Sequence, residues 1–467
     1  MKSLGSHIFS CADLEWFASA SGDFNPMHVD PIYARRLITG KQTVHGMFLI
    51  LLALENYYLK HTHVPSQIKA FFQKPTLVGD EVEFFFERDN METTIFIRSE
   101  LGQVASILMT GEGIKNDRSI PNNRPRKQSI KNNSFSELKD QVGKLTVMAL
   151  HHDLKLKFPN VSLNLGSHSV ATIMSFSKLV GMSIPGLHSI FTGFKIKFGV
   201  TNVQPLSWRV TRHISPNAPI QISLEGENTF SQIDAFMRPA PVIQPSLLEV
   251  QDVTNSMAYA GQRALIIGGS RGLGELVAKF VVAGSGNVCI TYANGKSDAI
   301  KIQTELNQKR EACKVSRLNV TCLNNVEDLL RSFKPTHLYY FATPPIRNNN
   351  QTYNSRLYQE YVSIFVDAFT DLVRLIASNI SEPIHIFYPS TIFIESTPRG
   401  FSEYTTAKKV GEAQCKILEA EYQNLQIHSK RLPPMNTDQT SSLTKIPSES
   451  ALGEIHNLVT EMNGWSK

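Results

Sequence analysis

Cysteine is scarce. Five occur, at 11, 289, 313, 322 and 415, far apart and with no C-x-x-C pair, which argues against a disulfide scaffold and against a zinc site, so no metal is expected. Long apolar runs are missing too. "MFLILLAL" at 47–54 falls well short of the ~20 residues that cross a bilayer and reads as a buried helix, so no membrane association is expected. The formal charge of +6 is mild for 467 residues. No dense basic tract is interleaved with aromatics, which gives nucleic-acid binding little support. The basic stretch "NNRPRKQSIKNN" at 122–133 also holds Pro and Asn and reads as a solvated linker. The start lacks a signal-peptide core with its cleavage site, so a cytoplasmic location is expected.

What is present describes a globular chain of two to four domains, 42% apolar and 19% charged, with material for large cores. Residues 1–117 read as helix, turn, apolar helix (44–59) and then strands such as "IKAFFQ", "EVEFFFE", "TTIFIRS" and "VASILMTGEG". A polar linker follows at 118–135. Residues 136–240 give a weaker echo, with a helical "SVATIMSFSKLVGM" ahead of "PGLHSIFTGFKIKF", "LSWRVTRHI", "IQISLEG" and "FSQIDAFM". One buried helix followed by antiparallel strands, occurring twice, suggests a duplicated unit. After a Pro-bearing linker at 241–257, residues 258–467 alternate apolar strands with helices, the pattern of a parallel sheet covered by helices.

In the first block, "SGDFNPMH" sets Asp23 and His28 five residues apart. An unbroken helix would point them apart, but Pro26 forbids that helix and drives Asn25 out of the α region. The bend lets a carboxylate and an imidazole converge. His151, His152, His168 and His188 of the second block have no such turn and read as structural.

In the third block, "ALIIGGSRGLGELVAKFV" places Gly268, Gly272 and Gly274 between an apolar strand and a helix. Such a turn suits a pyrophosphate resting on a helix N-terminus. Downstream stand Ser390 and Tyr404-x-x-x-Lys408. The i,i+4 spacing puts Tyr404 and Lys408 on one helix face, where an ammonium is expected to lower the phenol's pKa and tune it as a proton donor. No acid follows in "ITYANGKS", which offers Lys296, while Arg271 sits in the turn itself. Two cations suit a 2′-phosphate, so NADPH is the expected cofactor.

Two resemblances follow. Gly22, Asp23, Asn25, Pro26, His28 and Ala34, with "VHGM" at 44–47, resemble the MaoC-like, R-specific enoyl thioester hydratase/dehydratase family over about 1–117. Residues 258–467 resemble the short-chain dehydrogenase/reductase family, whose TGxxxGxG pattern appears as Ile267-Gly268-Gly269-Ser270-Arg271-Gly272-Leu273-Gly274. Departures are Ile267 for the usual Thr, "FATPPI" for Asn-Ala-Gly, no placed helical asparagine in "YQEYVSIFVDAF", and "RLPPMNTDQT" without Pro-Gly. They bear on proton relay and rate more than on nucleotide binding.

The fold these resemblances imply is a multidomain α+β and α/β protein, an N-terminal double hotdog (a helix wrapped by antiparallel sheet) followed by a doubly wound Rossmann-type parallel sheet. Asp23 and His28 become the dehydratase pair. The Gly46 N–H, at a helix start, becomes the oxyanion donor. Ser390, Tyr404 and Lys408 become the reductase set, with Gly268, Ser270, Arg271, Gly272, Leu273, Gly274, Lys296 and Asn319 binding the cofactor. The implied protein is bifunctional, a lyase and an NADP-dependent oxidoreductase of fatty-acid or polyketide-type biosynthesis. Its partners are an acyl thioester of coenzyme A or acyl carrier protein, with a homo-oligomer left open. The alternatives are a monofunctional dehydratase with a degenerate dinucleotide domain, a reductase domain acting on a sugar nucleotide, and an inert carrier-binding scaffold.

Overall fold

The computed structural model describes residues 1–90, 92–115, 120–198, 205–216, 218–226, 229–324, 326–349, 353–438 and 450–464. It divides into two compact units, Met1–Ala240 and Pro241–Lys467. The expected boundary at 117/118 lies outside the described residues.

The first unit holds one ten-stranded antiparallel sheet. Its strands are β1 (Lys2–Ile8), β2 (Gln67–Phe72), β3 (Glu81–Asp89), β4 (Glu92–Ser99), β5 (Gly102–Thr110), β6 (Val142–Leu145), β7 (Ser189–Lys197), β8 (Leu206–Arg212), β9 (Ile220–Gly226) and β10 (Thr229–Met237). The order is β1-β3-β4-β5-β2-β7-β10-β9-β8-β6. Read inward from either edge, the connectivity is the same, and the halves meet where β2 pairs antiparallel with β7, Ala70 opposite Phe194. Sequence patterning missed β1, whose residues are half-buried or exposed throughout and give no alternation.

Two helices pack with the strands into one core. Gly46–Tyr58 is apolar nearly all round and almost wholly buried, the expected signature of a helix enclosed by a sheet. Its counterpart, Ser167–Lys178, is buried along most of its length and runs into a π-helical turn, Leu179–Ser183. Both helices belong to one continuous apolar core. Glu55 of the first helix accepts backbone bonds from Asn160 (3.0 Å) and Val161 (2.9 Å), capping the helix Pro159–Leu165 of the other half. The 120–134 segment is mostly exposed, yet it lies on this unit: Pro125 abuts Gly22 and Asn133 bonds Ser183 O.

The second unit has six parallel strands: β11 (Arg263–Ile267), β12 (Asn287–Tyr292), β13 (Cys313–Arg317), β14 (His337–Tyr340), β15 (Ile384–Thr391) and β16 (Leu425–Leu432). The order β13-β12-β11-β14-β15-β16 is that of doubly wound dinucleotide-binding sheets, and it reverses direction between β11 and β14. Apolar clusters on the two sides of the sheet seat the helices. Near-continuous burial of β11, β14 and β15 is what a sheet covered on both faces requires. The expected fold class, hotdog-like antiparallel sheet then Rossmann-type parallel sheet, is the observed one.

Candidate active sites

In the first unit the helix Cys11–Ser21 starts with a capping box on Ser10 and stops at Gly22, whose φ of +80° is the left-handed C-cap. Asn25 then caps the single turn Pro26–Val29. Between these two caps the chain turns back, and Asp23 Oδ2 lies 3.9 Å from His28 Nε2, with 2% and 8% of the two residues exposed. That separation is too long for a hydrogen bond but leaves both atoms within reach of one shared reactant.

His28 Nδ1 lies 2.6 Å from the carbonyl of Thr43. A carbonyl only accepts, so Nδ1 carries the hydrogen, and neutral His28 presents the Nε2 lone pair to Asp23. Asp23 accepts from the Asn25 N–H (3.2 Å) and from Ser177 Oγ (2.7 Å). Asn25 Nδ2 donates to Gly181 O at 2.9 Å. Ser177 and Gly181 belong to the second half, at the end of its central helix and in the π-helical turn. A Cβ on Gly181 would fall 2.3 Å from Asp23 Oδ1, so only glycine fits against the carboxylate. Burial raises the Asp23 pKa and lowers that of His28, each partly offset by the other's charge. The pair therefore resists full charge separation and favours sharing one proton.

His45 is fully buried and stacks on His28, ring centres 3.8 Å apart. Its Nε2 donates to Asp23 O at 3.1 Å, and burial beside His28 holds it well below the ordinary imidazole pKa. Asp23, His28 and His45 also form the one candidate metal-ligand group among the described residues. Sequence reasoning quoted His45 within "VHGM" and gave it no role. Gly46 opens the central helix, where its N–H has no intrahelical acceptor. The Phe72 ring would lie 2.8 Å from a Cβ at this position.

In the second unit the turn after β11 is built for close approach. Gly268 (φ +76°) passes under Phe341 O, Gly272 has φ +59°, and a Cβ at Gly274 would stand 2.6 Å from Gly268 O. Ser270 is buried, Leu273 half-buried, and the helix Gly272–Ala283 begins in the turn. The cradle fits a dinucleotide pyrophosphate. Arg271 lies in extended backbone with Nη1 3.6 Å from Asp438 Oδ2. Lys296 is exposed at the start of the helix Lys296–Leu306, and exposed Asn319 turns its side chain onto the Thr321 N–H.

One expectation for the catalytic trio needs correction. Lys408 does not lower the Tyr404 pKa. Its Nζ donates to Pro389 O at 2.6 Å and sits 3.9 Å from the centre of the Phe365 ring. Burial pushes the Tyr404 phenol up to about 12 and Lys408 down to about 7. Ser390 has a partner of its own. Its hydroxyl donates to Glu412 Oε1 at 2.6 Å, and Glu412 in turn pairs with Arg431. The hydroxyl bonded to Tyr404 is that of Thr391. Ser390 and Thr391 thus meet different residues of one helix, Ser402–Glu421.

The first unit is thus a hotdog-like sheet around a buried carboxylate–imidazole pair, and the second a doubly wound parallel sheet. Residues 7–107 match the family profile described as "MaoC like domain". The chain is similar to the (R)-specific enoyl-CoA hydratase of Aeromonas caviae, 29% identical over 119 residues, 23% of this chain and 87% of that protein. It is also similar to the mitochondrial 3-hydroxyacyl-[acyl-carrier-protein] dehydratase of Arabidopsis thaliana, 30% identical over 81 residues, 16% of this chain and 47% of that protein. Among solved structures, a short chain dehydrogenase from Salmonella enterica serovar Typhi superposes with a TM-score of 0.41 at 15% identity, over 47% of this chain and 93% of its own. The segment 7–107 is thus a MaoC-like domain.

Proposed function

We propose that the first unit interconverts (R)-3-hydroxyacyl and trans-2-enoyl thioesters. The observation that carries this is the buried approach of Asp23 and His28, 3.9 Å apart, with the His28 Nε2 lone pair turned to the gap. In the dehydrating direction one member of the pair takes the α-proton, and the electron pair moves onto the thioester oxygen. The Gly46 N–H receives that developing charge. The pair's other member gives its proton to the departing hydroxyl, the C–O bond breaks, and the enoyl thioester and water leave. Protons balance because the pair loses one and gains one. Ser177 holds Asp23 in place, so the second half positions the first half's catalyst.

The second unit reads as an NADPH-dependent 3-oxoacyl thioester reductase, which together with the first would serve two consecutive steps of fatty-acid or polyketide-type chain building. The cofactor, cradled by the Gly268–Gly274 turn, would supply the hydride. Tyr404 gives its proton to the carbonyl oxygen, and Thr391 steadies the phenol. Arg271 and Lys296 would supply the positive charge for a 2′-phosphate. The engagement of Ser390 with Glu412 and of Lys408 with Pro389 O favours a second reading, a dehydratase whose dinucleotide domain no longer reduces. Incubating the full chain with a 3-oxoacyl thioester and NADPH, following NADPH absorbance and product mass together, separates the two. NADPH oxidation that Tyr404→Phe abolishes supports the reductase. NADPH binding without turnover of any 3-oxoacyl thioester supports the degenerate domain.

A further inference from the structure

The first unit contains a cleft of ≈ 800 Å³ bounded by the 123–131 segment, β6, β8 and the end of the helix Ser167–Lys178 with its π-helical turn. Arg124, Arg126, Lys131, Lys144 and Lys178 line it, and no carboxylate does. Arg124 is paired with Asp153 at 3.1 Å. The other four make no ion pair among the described residues, and Lys178 is half-buried, where desolvation already lowers its pKa. Four unneutralised cations in one concavity repel each other and focus a positive potential into it, an arrangement that an incoming polyanion relieves.

The cleft has a definite place relative to the dyad. Lys178 follows Ser177, whose hydroxyl holds Asp23. Leu179 and Ser183, both lining residues, flank Gly181, whose carbonyl holds Asn25. One turn therefore borders both the catalytic pair and the basic cleft. Every lining residue lies beyond the 7–107 segment, so the cleft belongs to the linker and the second half.

We propose that this cleft binds the phosphate-bearing end of the thioester's pantetheine arm, the chemistry shared by coenzyme A and by a phosphopantetheinylated carrier protein. Guanidinium forks and ammonium groups both take phosphate through charge-assisted bonds, and the volume is of the size that holds a small-molecule ligand. The proposal rests on the acyl-thioester reading of the dyad.

The test compares hydration of one enoyl group carried on coenzyme A, on acyl carrier protein and on pantetheine without phosphate, using the full chain and its Arg126→Gln/Lys144→Gln variant. Both positions are exposed, so the substitutions leave the core intact. The expected result is a rise of roughly tenfold in KM, confined to the phosphate-bearing substrates and shrinking as salt is raised. Whether the coenzyme A or the carrier-protein substrate suffers identifies the source of the phosphate. Equal changes for all three substrates, or none, would overturn the proposal. Calorimetric titration with free coenzyme A keeps the two readings apart. If no enoyl thioester is hydrated, the dyad reading fails, while binding that weakens in the variant still supports the cleft and binding unaltered by it, or absent in the wild type, refutes it.

Discussion

The two candidate centres are both buried and both contain a proton donor, yet their key atoms are disposed differently. Around Asp23 the protein leaves reactive atoms open: His28 Nε2 faces a 3.9 Å gap, and the Gly46 N–H stands at a helix start. Around Tyr404 the protein has taken several of them up, with Lys408 Nζ on Pro389 O and Ser390 on Glu412. The difference teaches that matching residue types at matching spacing does not make two centres equally prepared. In the first, the surrounding hydrogen bonds fix the donors and spare the reactive lone pair. In the second, chemistry requires Lys408 or Ser390 to exchange a present partner for substrate or cofactor.

The largest expected effect is at the open centre. His28→Ala should slow hydration by roughly 10²–10⁴, the span of general acid–base catalysis, measured as kcat with a saturating enoyl thioester. The pH profile of the wild type should be bell-shaped, because the working pair holds one proton. Activity falls at low pH when His28 takes a second, and at high pH when the pair loses its only one. A rate independent of pH from the acid to the alkaline side would remove the shared proton from the mechanism.

At the occupied centre, Thr391→Ala should cost roughly 10²-fold in NADPH-dependent reduction, the loss of one well-placed donor, and Ser390→Ala much less. The reverse order, read from single-turnover rates, would restore Ser390 to the place its sequence position suggested. Ser177→Ala sharpens the comparison from the other side, since it strips Asp23 of its 2.7 Å partner without touching substrate. A hydrogen bond to a charged group is worth about 1.5–3 kcal/mol, so hydration should fall roughly ten- to a hundredfold. The pH limbs should move with it, and Ser177→Thr should rescue part of the rate. Arg271→Ala should weaken NADPH binding about tenfold and NADH little, because Asp438 already neutralises part of its charge. Fluorescence titration with both nucleotides reads this directly. The smallest effect is on stability. His28 and His45 are held below the ordinary imidazole pKa by burial, so the unfolded chain binds more protons below about pH 6.5. Thermal stability should drop as pH falls through that window, and less steeply in His45→Gln.

Much of the fold was legible because alternation and apolar runs survive in strands and buried helices, as in Gln67–Phe72 or Arg263–Ile267. The Asp23 bend was legible because proline and glycine act locally. β1 was not, since an edge strand without a buried face leaves no periodic mark. Ser177 was invisible for a different reason: 154 residues separate it from Asp23, and the two halves are brought together by long-range contacts such as the pairing of β2 with β7. The difference between Ser390 and Thr391 is which side chain each hydroxyl meets, Glu412 or Tyr404, and the order of residues alone does not set that. Lys408 reads as Tyr404's neighbour on a helical wheel, yet Pro389 O and the Phe365 ring draw its ammonium elsewhere.

The most direct measurement is hydration of a trans-2-enoyl thioester by the full chain with no nicotinamide nucleotide present, comparing wild type, Asp23→Asn and Tyr404→Phe. A working dyad gives steady conversion to the (R)-3-hydroxyacyl product in the wild type and an unchanged rate in Tyr404→Phe. In Asp23→Asn the rate collapses by roughly 10²–10⁴. Equal rates in wild type and Asp23→Asn, or a loss that follows Tyr404 instead, would contradict it.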